Sequence, residues 1–355
     1  MPSRRLLLAL LLTTPLSGFC ASINPGQTPG PPQRATGSTE DYPKSVEAWR
    51  AERVARLTTP TGWLTLIGRH QLASGANTVG TAADDYAKAI EAWRAERVAR
   101  LTTPTGWLTL IGRHQLAPGA NTVGTAADNS LKLAAGPPYL GTVTLGAGRS
   151  VILAPAPSAL LEIDGGRVSG PVGLDFKGEK PTRVTFGTAN FHVMQRGENL
   201  FLRVRDTTAA TLKNFAGIDY FPIDPAWRIA ALWVPFDPPR QVNITNMIGV
   251  TEPAPVPGKA IFTWQGHPVE LLPIDEGGAD LFFVLTDLTA GEETYGASRF
   301  LYAARPKDGK IILDFNRMQN PPCAFTSFAT CPLPPKENRM PFRVTAGEKN
   351  YRGAH

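Results

Sequence analysis

Apolar and polar residues follow two different periods along this chain. Before residue 60 the apolar residues recur at helical spacing with charged residues around the other side, at Val46, Trp49, Val54 and Leu57. From residue 140 onward, short runs rich in Val, Ile, Leu and Phe are separated by Gly, Pro and Asp. We therefore predict a mainly β protein whose antiparallel sheets form a sandwich or barrel-like arrangement, with an amphipathic helix near the N-terminus.

The helical pattern occurs twice. Residues 41–84 recur as residues 85–128 with 40 of 44 positions identical. Solenoid repeats diverge and need about three or more units to cover one another, whereas two near-identical copies indicate a recent duplication. We interpret the copy at 41–84 as surplus. The copy at 85–128 runs directly into the β region, so we expect it to occupy the native position.

Within each copy, a proline should end the helix, at Pro60 or Pro104. The sequence GWLTLIGRHQL that follows is typical of a strand, and SGAN or PGAN is typical of a turn. We interpret Trp63 and Trp107 as packing residues rather than as sugar-binding platforms.

The β pattern divides into two regions. We predict an N-terminal β domain at 85–215, which includes the native copy of the helix-strand unit, and a C-terminal β domain at 216–355. Residues 22–40 are rich in Pro, Gly, Ser and Thr, which predicts a flexible linker.

The N-terminus has the layout of a signal peptide, with two arginines, an apolar run and then small residues. We expect residues 1–21 to be removed after Cys20 or Ala21, and the protein to be periplasmic or secreted. Phe19 is bulky where a lipid-modification motif needs a small residue, so we do not favour a lipoprotein anchor. No later run approaches the roughly 18–20 apolar residues of a membrane span, so none is expected.

The most distinctive stretch is residues 314–349, which we call the Pro/Cys segment. It contains the peptides LDFN (which begins just before it), NPPCAF, TCPLPP, ENR and AGEK in that order, and a hairpin with TDLT and SRFL precedes it. These peptides resemble the C-terminal signature of the domain of unknown function 1684 family of bacterial and archaeal proteins, over about residues 90–350. The resemblance implies a β-rich fold and attaches no reaction to it.

Two cysteines, Cys323 and Cys331, lie eight residues apart in this segment. In an oxidising compartment a disulfide is the default expectation, and a loop this short would contribute about 2–3 kcal/mol. Two free buried thiols, or a metal-ligating or catalytic role, are the alternatives.

Polar residues at strand ends form the candidate binding pocket. Alternation in KIILDFNR puts Asp314 and Asn316 on one face. Arg299 could pair with a buried carboxylate such as Asp287, or anchor a carboxylate or phosphate of a ligand. The alternative is that these side chains cap the Pro-rich loop through backbone N–H groups. The full candidate set is Asp287, Arg299, Asp314, Asn316, Asn320, Glu337, Asn338 and Arg339.

Charge and motifs exclude several function classes. The net charge of +6 falls to +3 when the signal peptide and one repeat copy are set aside, which is too weak for a nucleic-acid footprint. The basic stretch FLRVRD is interpreted as a strand with a solvated side. No G-x-S-x-G, S-x-x-K, G-x-x-x-x-G-K, H-E-x-x-H or C-x-x-C motif is present, and the histidines are scattered. We expect no metal and no cofactor.

Three functions remain open. The leading hypothesis is a binding or accessory module for a small molecule or a protein partner. The second is a hydrolase-type enzyme whose acid and base are carboxylates near the NPPC loop, such as Asp314 and Glu337. The third is a structural or assembly protein that docks through its Pro/Cys loop, where Phe325 and Phe328 would be the contacts.

Overall fold

The computed structural model describes residues 41–57, 82–178 and 180–353. Contacts divide the chain into two compact units, residues 1–78 and residues 79–355. The predicted signal peptide and linker, and the part of the first copy that contains Pro60 and Trp63, lie outside the described residues. No helix among the described residues is long and apolar enough to cross a membrane.

Each repeat copy forms the predicted helix. In the first unit, α1 spans Asp41–Leu57, and its Trp49 and Val54 are 53% and 59% exposed. In the second unit, α2 spans Ala82–Thr102, and its Ile90 and Leu101 are buried. Helix α2 ends two residues before Pro104, as expected because a residue that precedes proline is pushed away from the helical conformation.

Two sheets pack around the first core of the second unit. The five-stranded sheet and the six-stranded sheet both contribute to one cluster of buried apolar side chains, which includes Val143 and Leu153 of the former and Phe191 and Leu202 of the latter. The strand Val151–Pro155 of the former alternates buried and exposed side chains over its first three residues, as a strand with one face in a core does, whereas Ala189–Arg196 and Asn199–Asp206 of the latter are buried along most of their length. The strands are β1 (Leu110–Gln115), β2 (Gly119–Gly124), β3 (Leu131–Lys132), β4 (Gly141–Leu145), β5 (Val151–Pro155), β6 (Glu162–Ile163), β7 (Gly166–Arg167), β8 (Val172–Gly173), β9 (Arg183–Phe186), β10 (Ala189–Arg196) and β11 (Asn199–Asp206).

The spatial order is β3-β2-β4-β5-β8 in one sheet and β1-β11-β10-β9-β6-β7 in the other. After β11 the chain forms one short helix, α3 (Ala210–Lys213). Except for β2 with β3, the strand pairs are antiparallel.

A second core lies further along the chain. It is built on a four-stranded sheet, of order β14-β13-β12-β17, and on the pair β15 and β16. Its strands are β12 (Arg228–Thr245), β13 (Thr251–Trp264), β14 (His267–Leu271), β15 (Asp280–Leu285), β16 (Arg299–Ala304) and β17 (Lys310–Asp314). The mainly β, antiparallel prediction is confirmed, and the sheets of the described residues are open rather than closed into a barrel. The two cores fall on either side of the predicted boundary at 215/216, which itself stays a prediction.

The Pro/Cys segment is irregular but ordered by contacts. Its short 3-10 turns lie at Phe315–Arg317, Pro322–Ala324 and Lys336–Asn338. Cys323 and Cys331 pack on Phe282 and Phe300 of β15 and β16, with Trp107 on the periphery of this cluster. The segment therefore lies between the C-terminal strands and the residues that follow α2.

Candidate functional site

Asp287 and Arg299 form an ion pair inside the protein. Their side chains are each 1% exposed, and an Arg299 nitrogen lies 2.7 Å from Asp287 Oδ2. The other Asp287 oxygen accepts backbone N–H bonds from Thr289 and Val344, and Arg299 donates to the carbonyls of Val344 and Ala346. Burial lowers the pKa of Arg299, and Asp287 opposes that shift. Both groups are used in holding the end of the Pro/Cys segment.

Glu348, which the sequence did not single out, organises a second network. It is fully buried and accepts from Arg97 of α2 at 2.9 Å and from the backbone N–H of Asn320 at 2.7 Å. Arg97 also donates to the Asn320 carbonyl at 2.8 Å. These bonds hold helix α2 of the second repeat copy against the Pro/Cys segment.

Asp314 and Asn316 lie together in a third network, but Asn316 stands in the 3-10 turn Phe315–Arg317 and not on the continued strand that the alternation assumed. The hydroxyl of Tyr86 donates to Asp314 at 2.7 Å, and Asn316 donates to that hydroxyl and to the Asp224 carbonyl. Burial and the hydrogen bond to Asp314 raise the pKa of Tyr86. These groups attach the first turns of α2 to the end of β17.

The remaining candidates are separate from these networks. Asn338 is fully buried. Its side-chain oxygen accepts from the backbone N–H of Leu272, and its side-chain NH₂ donates to the carbonyls of Leu272 and Val284. Glu337 and Arg339 are exposed. The eight candidates are therefore distributed over several networks and the surface. Asn320 alone among them lines the cleft described below.

Cys323 and Cys331 are buried free thiols with their sulfur atoms 2.6 Å apart. The hydrogen bond between them lowers the pKa of Cys323 and raises the pKa of Cys331. The disulfide stays a prediction.

A cavity of about 260 Å³, which we call the basic cleft, opens beside this cysteine pair. Three surfaces meet there: the region of α2 and the six-stranded sheet, the pair β15 and β16, and the Pro/Cys segment. Its lining includes three arginines and four aromatic side chains, namely Arg97, Arg196, Arg203, Trp107, Phe282, Phe300 and Tyr302.

Strand register produces a row of basic side chains, of which Arg203 lines this cleft. Arg203 of β11 pairs directly with Arg113 of β1 and with His192 of β10, and His192 pairs with Arg183 of β9. Direct cross-strand neighbours share one face of a sheet. Four basic side chains on four adjacent strands thus form one row, and Arg205 lies two residues along the same face.

The Glu276 carboxylate also lines the cleft, but no ion pair among the described residues joins it to this row. Among the described residues, no ion pair is formed by Arg203, Arg113 or Arg196. The Nε and one Nη of Arg203 are buried without a hydrogen-bond partner. Burial, and then repulsion from Arg196 and Arg205, lower the pKa of Arg203 to about 10. Trp107 supports the positive charge by stacking, with its ring 5.2 Å from the Arg203 guanidinium and 5.5 Å from that of Arg205.

The pKa of His192 is affected by the same arginines. Burial, followed by repulsion from Arg203, Arg205 and Arg183, lowers the pKa of His192 to about 4. The imidazole is therefore neutral at neutral pH, and its Nδ1 is buried without a partner.

The interpretation of FLRVRD as a strand with a solvated side is wrong. Arg205 is only 7% exposed, and Arg203 is half-buried. Their face of β11 is covered by Trp107 and lies near the Pro/Cys segment, where Arg113 donates to the Ala329 carbonyl at 3.0 Å. The alternation of Arg203 and Arg205 along the strand was the available signal. It shows that the two side chains share a face, but it does not show whether that face is covered by protein or exposed to solvent.

Comparison with known proteins identifies part of the chain. A family model described as "Protein of unknown function (DUF1684)" matches residues 213–349, a shorter stretch than the residues 90–350 expected from the motifs. No curated protein matches. Twelve chains of solved structures match. One is an uncharacterised protein of Haloarcula marismortui solved by solution NMR. It is 28% identical, with 40% of this chain and 80% of that chain covered and a TM-score of 0.34. Residues 213–349, which include the whole of the Pro/Cys segment, thus belong to the DUF1684 family of proteins of unknown function.

Proposed function

We propose that this protein binds a small anionic molecule in the basic cleft. The observation that carries the proposal is Arg203, which has two buried nitrogen atoms without a partner and stands in a row of basic side chains that forms no ion pair among the described residues. A carboxylate, phosphate or sulfate oxygen would accept these N–H groups in charge-assisted hydrogen bonds. The proposal applies to the periplasmic or secreted protein that the N-terminal sequence predicts.

The energetic cost of an unpaired arginine favours anion binding by the cleft over a purely structural role for Arg203. A buried charge without a partner destabilises a fold, and neighbouring like charges add to the cost. Buried Arg299 and Arg97 are paired with Asp287 and Glu348, and buried Arg205 donates instead to the Gly106 carbonyl and the Thr109 hydroxyl. The Nε and one Nη of Arg203 have neither kind of partner, which is the pattern expected where stability is sacrificed for binding.

The cleft suits a small ligand. Its volume of about 260 Å³ lies just below the roughly 300–1,000 Å³ of typical ligand pockets. Phe282 and Tyr302, whose rings stack at 4.9 Å, provide an apolar wall opposite the charge. Such a site would hold one anionic group and a few further heavy atoms.

The other two hypotheses have less support. The hydrolase hypothesis relied on Asp314 and Glu337, but Asp314 is bonded to Tyr86 and Glu337 is exposed, and neither lines the cleft. The docking hypothesis relied partly on Phe325, which is fully buried and packs against Tyr351 with their rings 4.9 Å apart.

Isothermal titration of the purified protein with inorganic phosphate, sulfate, acetate and citrate at low ionic strength tests this proposal. We expect saturable binding of at least one anion, lost in Arg203→Gln. Arg167→Gln is the matched control, because Arg167 is an exposed cation on β7 outside the cleft lining. The proposal fails if no anion binds, or if Arg203→Gln binds as well as the control.

A further inference from the structure

We infer that the ligand is amphiphilic, with an apolar chain attached to the anionic group that the basic cleft holds. The chain would lie in a second cavity that adjoins the cleft. This inference rests on the proposed function, because the cleft supplies the contact for the charged end.

The second cavity, which we call the side cavity, has a volume of about 230 Å³. It shares part of its wall with the basic cleft. The residues common to both are Arg196, Glu276, Phe282, Thr330 and Pro332. The two cavities therefore adjoin each other, and the inference places one ligand across both.

The far wall of the side cavity is formed by the β12–β13 hairpin and by the residue Ile274. Ile244, Ala254 and Ile274 are half-buried there and leave apolar surface facing the cavity. Burying such surface under an apolar chain is favourable because it removes both surfaces from water.

The hairpin tip is held in place before any ligand arrives. The backbone N–H of Met247 donates to the Cys331 carbonyl at 2.9 Å, and that of Leu333 donates to the Thr245 carbonyl at 2.8 Å. The Asn246 side chain accepts from the N–H groups of the turn. A wall fixed in this way loses little conformational entropy on binding.

Charge sets the direction of the ligand. Arg196 and Glu276 line both cavities, and Arg97 of the cleft is paired with Glu348. The charges that differ are Arg203, which lines only the basic cleft, and Glu252, which lines only the side cavity, so a negative group is favoured at the Arg203 end. Glu252 and Glu276 have exposed side chains that can remain hydrated, so they do not prevent an apolar chain from lying on the isoleucines.

Titration with two homologous series tests the inference. The probes are straight-chain carboxylates from acetate to octanoate and the corresponding n-alkyl phosphates, at constant ionic strength. We expect Kd to fall by about three- to fourfold per added methylene until the side cavity is full. Binding of one series alone would identify the head group and would satisfy the inference.

Two variants test whether the apolar chain of the ligand lies in the side cavity. Ile274→Ala should flatten the dependence on chain length, and Ala254→Phe should block the longer members, while both bind the shortest anions as the wild type does. Ile312→Ser is the matched control, because Ile312 is a 39% exposed residue of β17 outside the cavity lining.

The outcomes separate this inference from the proposed function. If short anions bind but chain length makes no difference, the amphiphile is excluded and the anion site remains. If 6-aminohexanoate binds more tightly than hexanoate, Glu252 and Glu276 take a cation and the apolar-chain assignment is overturned. If no anion of either series binds, both proposals fail.

Discussion

Arg97 and Glu348 form a buried ion pair, 2.9 Å between nitrogen and oxygen, across 251 residues of sequence. The equivalent of Arg97 in the first repeat copy is Arg53, which is exposed and lies 5.4 Å from the ring of Trp49. The same residue, in nearly the same local sequence, is therefore buried in one copy and solvated in the other. The interpretation that residues 85–128 occupy the native position stays a prediction.

The two arginines provide a matched pair of substitutions. Arg97→Ala leaves Glu348 buried without its cation, and we expect a loss of roughly 3–5 kcal/mol in the free energy of unfolding. Arg53→Ala removes an exposed side chain and should change it by less than about 0.5 kcal/mol. Urea denaturation measures both. Small and equal effects would instead indicate that the two copies exchange places.

The Asp287–Arg299 pair should contribute to the free energy of unfolding and not to the affinity for the ligand. Asp287→Asn leaves the Arg299 charge buried without its counter-charge, so we expect a loss of about 3–5 kcal/mol. Affinity for the anion should stay at the wild-type value when measured below the melting temperature. Normal stability combined with lost binding would place this pair in the binding site after all.

Arg203→Gln should have the opposite effect, because we expect it to abolish anion binding and to leave stability nearly unchanged. The substitution removes repulsion from Arg196 and Arg205 and loses the stacking on Trp107, which is worth about 1 kcal/mol. We therefore expect the free energy of unfolding without ligand to stay within about 1 kcal/mol of the wild-type value. A loss of several kcal/mol would show that Arg203 is a structural residue.

His192 should make stability depend on pH. Its pKa is about 4 in the folded protein and about 6.5 in an unfolded chain, so the unfolded state binds the extra proton. The stabilisation is complete above about pH 6.5 and is lost as the pH falls toward 4. A bound anion would offset the repulsion from Arg203 and raise the His192 pKa. NMR titration of the imidazole checks both statements, and a pKa near 6.5 without ligand would contradict them.

Several elements were predictable because they depend on local spacing. Apolar residues at helical spacing identified α1 and α2, and short β-rich runs between turn residues identified most strands. Asp314 and Asn316 do lie together, although Asn316 follows β17 in a 3-10 turn and is not on a continued strand. These signals come from neighbours within one element, which a single sequence displays directly.

The basic cleft was not predictable because it depends on pairing between distant strands. Arg113, Arg183, His192 and Arg203 become neighbours only through the register of β1, β11, β10 and β9. The burial of Glu348 depends likewise on Arg97, which lies in a helix far away in sequence. A sequence shows which residues carry charge but not which of them lack a partner.

The most direct test observes the unpaired Arg203 N–H group itself. Two-dimensional ¹H–¹⁵N spectra of the arginine Nε–H groups, with Arg203→Gln for assignment, would be recorded during titration with phosphate and with hexanoate. We predict that the Arg203 signal shifts saturably while that of the exposed Arg167 does not. An unchanged Arg203 signal at saturating concentrations of both anions would contradict the claim that this cleft binds them.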